Sequence, residues 1–231
     1  MGNTDDDLGG SRTPHDERAG PGIVQYILYE NNIDSYYGKY KIGGIMYIDT
    51  NTLVEDLISK GLDLERYEKI MNTVMHVDVS LDEEFQKTFN YFYKVRCNKT
   101  WHHTFYELFE ECKSKSDLRF EEIITTLFRK TGRVDASFSS KMLATINSDM
   151  PIWDQYVLHN LGLRLQGNTQ NEKLVNAITI YDAIDEWYKE FLATDNAQKS
   201  IALFNSVMPR FENLSDIKKI DFLIWSKGSK S

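Results

Sequence analysis

Apolar positions recur with a helical period over most of this chain. Ser80 and Glu83 stand as a capping-box pair ahead of Phe85, Phe89 and Phe92, which share one helical face. Trp101, Phe105, Leu108, Phe109 and Cys112 form a second stripe, and Phe120, Ile123, Ile124, Leu127 and Phe128 a third, stopped at Gly132. The pattern predicts a short helix over 137–146 with Phe138, Met142, Leu143 and Ile146 as its apolar face. Another runs from Asp154 to near Gly162. The polar stretch 166–171 leads into a long helix carrying Leu174, Ala177, Ile178, Tyr181, Ile184, Tyr188 and Phe191. Two more follow at 197–207 and 215–225, separated by Pro209. Upstream, Thr52 and Glu55 repeat the capping box before Leu57 and Ile58, with Gly61 as the stop.

Residues 23–48 break this pattern. IVQYILY and KIGGIMYI are rich in β-branched and aromatic residues and read as one or two short strands, interrupted at Gly43-Gly44. Residues 1–22, with five glycines and an acidic run at Asp5–Asp7, read as a disordered leader. The expected fold is mostly α: a single compact helical bundle over 23–231 with a small N-terminal β element.

Composition narrows the setting. The chain has 231 residues, enough for a substantial core, and 41% are apolar. No apolar run approaches the roughly 18 residues of a membrane span. Cys97 and Cys112 are the only cysteines, which excludes a disulfide framework and points to a reducing cytoplasm. A net charge of −8 counts against non-specific nucleic-acid binding. The charge is uneven, however. Arg129, Lys130, Arg133 and Lys141 gather around the 137–146 helix against Asp135 alone, and Lys218, Lys219, Lys227 and Lys230 enrich the C-terminus.

Most familiar chemistries find no motif. HExxH, CxxC and an EF-hand loop are missing, and His102-His103 point about 100° apart on a helix, unsuited to joint chelation. Neither GxGxxG nor GxxxxGK[ST] occurs, nor a GxSxG elbow, and no cofactor is expected. What remains is Lys141, an amine inside a short apolar helix, and Asp154 at the mouth of the next. An amine can attack a sugar carbon and form a Schiff base, while a carboxylate stabilises the developing cation. The same spacing is met by a lysine snorkelling along a surface helix and an aspartate serving as an N-cap, and spacing alone favours that plainer reading.

The segment Gly132–Gly162 resembles the helix-hairpin-helix DNA glycosylase superfamily, particularly its 8-oxoguanine glycosylase type. Ser137-Phe138-Ser139-Ser140-Lys141 falls where that family has its hairpin and catalytic lysine. Pro151-Ile152-Trp153-Asp154 falls where it has its aspartate. Helix order agrees from about residue 80 to 225, and Lys218–Trp225 is similar to the terminal helix of a bacterial branch with this fold. The family hairpin is normally glycine-rich, whereas serines stand here; serine N–H and hydroxyl groups at a helix start are also phosphate donors.

The resemblance implies a DNA N-glycosylase, with lyase activity open to it, that flips a modified or damaged base into a pocket. Lys141 is then the nucleophile, its neutral form favoured by burial and by Arg129, Lys130 or Arg133, and Asp154 the stabilising carboxylate. Arg133, Ser137, Ser139 and Ser140 become the DNA contacts, and Trp101, His102, Tyr106 and Trp153 the base-pocket wall. The partner is DNA, the protein a monomer with no membrane association, and the role repair or defence against modified phage DNA. A glycosylase-like scaffold that binds DNA or protein without cleaving is the alternative.

Overall fold

The computed structural model describes residue 48 and residues 63–228. Among the described residues nine α-helices follow one another and no strand occurs. They are α1 (Leu64–Thr73), α2 (Glu83–Tyr93), α3 (Lys99–Lys113), α4 (Phe120–Thr131), α5 (Ala136–Ile146), α6 (Gln155–Asn160), α7 (Gln170–Leu192), α8 (Asp195–Val207) and α9 (Asp216–Gly228). A 3-10 turn at Pro209–Phe211 precedes α9. The expected leader, the Thr52–Gly61 helix and the β element lie outside the described residues, apart from Ile48. That residue exchanges two backbone hydrogen bonds with the side-chain amide of Asn196 at the start of α8.

Helix starts are set by short polar side chains that satisfy the first free N–H groups. Asn98 accepts from the Trp101 N–H at 2.9 Å, and Thr169 from Glu172 at 3.1 Å. At α2 the cap is Asp82, bonded to the Phe85 N–H at 2.8 Å, and not Ser80, whose hydroxyl is taken by Asp78 at 2.6 Å. The apolar stripes then do as their period requires: Phe85, Phe89, Phe105 and Phe109 interlock between α2 and α3, with ring centroids 5.5–6.0 Å apart. α7 is buried along most of its length, from Leu174 to Phe191. It packs against α4, α8 and α9.

Gly132 closes α4 with φ +71, and its N–H returns to the Phe128 carbonyl at 2.7 Å. This left-handed cap turns the chain into α5, the lysine helix. A Cβ at this position would meet nothing within 4 Å. Gly132→Ala is therefore expected to cost only the backbone term, about 1 kcal/mol in a chemical-denaturation experiment. A neutral result would mean that the α4–α5 link is not conformationally constrained.

Candidate functional site

α5 is the helix that the sequence marked, and it is buried nearly all round. Met142, Leu143, Ala144, Ser139 and Ser140 have no measurable exposure. Its cap position, Asp135, makes no capping hydrogen bond, because its carboxylate is held elsewhere: by the Trp101 indole N–H at 2.8 Å and by Arg133 at 2.9 Å. α3 and α5 are thereby tied together, and the first turn of α5 sits against the aromatic start of α3. Small serines let the helix approach its neighbours closely. The Ser140 hydroxyl donates to the Ser137 carbonyl at 3.0 Å and accepts the Trp153 N–H at 2.9 Å. That second bond fixes the strand-like approach to Asp154 directly onto the lysine helix.

Lys141 is 7% exposed. Its Nζ donates to the Tyr93 carbonyl at 3.3 Å and stands 5.6 Å from the Phe138 ring centroid and 5.8 Å from that of Tyr93. No carboxylate among the described residues lies within 4.0 Å to form an ion pair. Burial lowers the Lys141 pKa below the ordinary lysine value, and the Asp154 charge opposes the shift in part. The expected help from Arg129, Lys130 and Arg133 is not seen. Arg133 is engaged by Asp135, Lys130 by Glu111 at 3.3 Å, and desolvation alone does the lowering.

Asp154 is the N-cap of α6, accepting the Tyr156 N–H through Oδ1 at 2.8 Å. It also lines a cavity of about 10 Å³, on the scale of one water molecule, with Tyr67, Tyr93, Lys218, Asp221 and Trp225 among the other walls. One half of the plain alternative is thus met and the other is not: Asp154 is a cap, but Lys141 does not snorkel to the surface. Tyr93 connects the two features, since its carbonyl holds the amine while it also walls the cavity.

A second pair of charges stands in the same wall and was not singled out from the sequence. Lys218 and Asp221 are buried on α9, one turn apart, and pair at 2.6 Å. The Tyr188 hydroxyl of α7 donates to the other Asp221 oxygen. Burial pushes the Asp221 carboxyl up, and Lys218 counteracts it. The Tyr67 hydroxyl, also buried, has no hydrogen-bond partner and lines the cavity. A usable signal was present: a charge pair spaced i, i+3 leading into the apolar run Phe222–Trp225.

The other expected site residues separate. Trp101, Tyr106 and Trp153 are buried in the core, and His102 is half-buried; none of the four lines the cavity. Trp101 stacks on Phe105 at 4.8 Å, and Trp153 lies parallel to Phe120. The Tyr106 hydroxyl is spent on Asn90 at 2.9 Å. His102 has its pKa lowered by burial, with Nε2 unpartnered. Ser139 and Ser140 are internal, so their hydroxyls are not offered to a phosphate; Ser137 is half-buried and Arg133 is exposed.

Among the described residues no helix is long and apolar enough to cross a membrane. Comparison with family models, curated proteins and solved structures finds no match.

Proposed function

We propose that the protein is a lysine-dependent DNA N-glycosylase that removes a modified or damaged base, with Lys141 as nucleophile and Asp154 as the stabilising carboxylate. The observation that carries this reading is the buried Lys141 amine. Among the described residues it has a single carbonyl acceptor and no ion pair within 4.0 Å, and its pKa is lowered by burial. A lysine kept in this state supplies a neutral amine more readily than a surface one.

The neutral amine donates its lone pair to deoxyribose C1′, and the C1′–N bond breaks with its electron pair leaving on the base. The proton shed by the alkylated amine passes to the departing base. Asp154, with one oxygen committed to the Tyr156 N–H, faces the cationic sugar with the other. Opening of the C1′–O4′ bond then yields an iminium, with O4′ taking up a proton. Loss of the C2′ proton expels the 3′-phosphate, which is the lyase step. A base is far larger than this 10 Å³ cavity, which Asp154 lines and Lys141 does not, so base binding requires its walls to part.

Borohydride trapping on duplex DNA carrying abasic sites or a panel of modified bases tests this. A covalent adduct mapped to Lys141 is expected. No adduct and no abasic product across the panel would sink the reading. The small cavity and the buried serines favour a second reading, a glycosylase-like scaffold that binds DNA or protein without cleaving. Salt-sensitive DNA binding that survives Lys141→Ala, with no strand product from the wild type, would select it.

A further inference from the structure

The edge of the molecule above Lys141 carries cations that the site chemistry does not use. Tyr91, near the end of α2, is 60% exposed, unusual for so large a ring. Two cations lie against it: the Arg66 guanidinium at 4.1 Å from the ring centroid and the Lys94 ammonium at 4.4 Å. The face of an aromatic ring attracts a cation, so Tyr91 holds both side chains at the surface. Arg66 has Asp63 as a partner, whereas Lys94 has no carboxylate within 4.0 Å among the described residues. Lys94 also holds the one positive φ (+55) of a non-glycine among the described residues. Beyond it Arg96 and Lys99 are exposed, and likewise free of ion pairs among the described residues.

The segment that carries this strip is joined at three points to the lysine helix and the link just before it. The Tyr93 carbonyl, one residue before Lys94, accepts from Lys141 Nζ. Arg133 reaches Cys97 Sγ at 4.0 Å, and Trp101 is bonded to Asp135. The unpaired cations therefore stand at the edge of the fold under which the amine is buried, on a protein that is otherwise net acidic.

We propose that Lys94 and Arg96, with Arg66 held beside Tyr91 and with Lys99 and Arg133 flanking, form a strip that binds a DNA phosphodiester backbone and guides the strand to Lys141. This rests on the glycosylase-like reading in taking DNA as the partner, and it replaces the buried serines as the backbone contact. A row of exposed unpaired cations is complementary in charge to a phosphodiester backbone, and each phosphate neutralised releases counterions.

The test is fluorescence anisotropy on a labelled duplex bearing one tetrahydrofuran abasic analogue, which lacks the C1′ hydroxyl and so reports binding without chemistry. Salt titrations compare wild type, Lys94→Gln/Arg96→Gln, and a control of equal charge, Lys189→Gln/Lys199→Gln, whose side chains are exposed on α7 and α8. The first double variant is expected to bind several-fold more weakly, with the slope of log K against log salt reduced by about 2, close to 0.9 per lost phosphate contact. The control should keep the wild-type slope, and thermal melts should show all three folded. Wild-type binding with an unchanged slope in Lys94→Gln/Arg96→Gln, or equal losses in both doubles, would overturn the strip and leave DNA binding standing. Wild-type protein with no salt-dependent binding would overturn the strip and the DNA reading together.

Discussion

Replacing Lys141 with methionine is expected to abolish covalent trapping and, in the same protein, to raise the melting temperature. The two effects share one cause. The ammonium is taken out of water to 7% exposure and receives in return, among the described residues, one hydrogen bond of 3.3 Å and no ion pair. Such a charge costs more to bury than it regains. Methionine has nearly the same length, fills the space between Phe138 and Tyr93, and carries no desolvation cost. The gain should be about 1 kcal/mol, or roughly 3 °C for a chain of this size.

The sign with pH follows from the lowered Lys141 pKa. Below that lowered value the folded protein bears the cost of a buried ammonium. Between it and the ordinary 10.5 the unfolded chain binds more protons than the folded one, so wild-type stability recovers as pH rises. The advantage of Lys141→Met should therefore be largest near neutral pH and shrink as pH approaches 10.5. Trapping by the wild type should accelerate with pH through the same lowered pKa. Melts and trapping rates from pH 7 upward measure both. A methionine variant that melts lower than wild type would show Lys141 to be a structural cation, and undiminished trapping would assign the chemistry to another amine.

How much of this was legible in the sequence depends on range. The helices from α2 to α9 follow from apolar period and punctuation because those are local: Phe85, Phe89 and Phe92 share a face wherever the helix packs, and Gly132 stops α4 by its own backbone freedom. The depth of Lys141 was not local. Its position beside the apolar face of α5 was plain, but its burial is made by the end of α2 and by the approach to Asp154, which Ser140 pins in place. Ser139 and Ser140, expected as phosphate donors, are internal, and their small size lets α5 close on its neighbours. The aromatic residues lie apart from the cavity for a related reason. Trp101, His102, Tyr106 and Trp153 are expected at the pocket for their stacking chemistry, whereas Tyr67, Tyr93 and Trp225 reach the cavity through packing between distant helices.

Lys218→Met is the most damaging single change expected in this wall. Lys218 is 1% exposed, and its ammonium pairs at 2.6 Å with an Asp221 that is itself buried and shares its other oxygen with Tyr188. Removing the cation leaves a carboxylate in an apolar setting, with Asp154 adding repulsion. The loss should be about 3–5 kcal/mol near neutral pH, on the order of 10 °C in melting temperature. Burial already raises Asp221 above its ordinary 3.8, so between 3.8 and the raised value the folded state binds more protons and stability falls as pH rises. Without Lys218 that pKa climbs further and the window widens. The deficit should thus be small near pH 4 and open toward pH 7. Asp221→Asn in the same chain removes the stranded charge while keeping an oxygen for the Tyr188 hydroxyl, and should restore most of the loss, a coupling of about 2–3 kcal/mol in a double-mutant cycle. Equal deficits at both pH values, or no rescue by Asp221→Asn, would mean that Lys218 stabilises the fold through the packing of its alkyl stem and not through its charge.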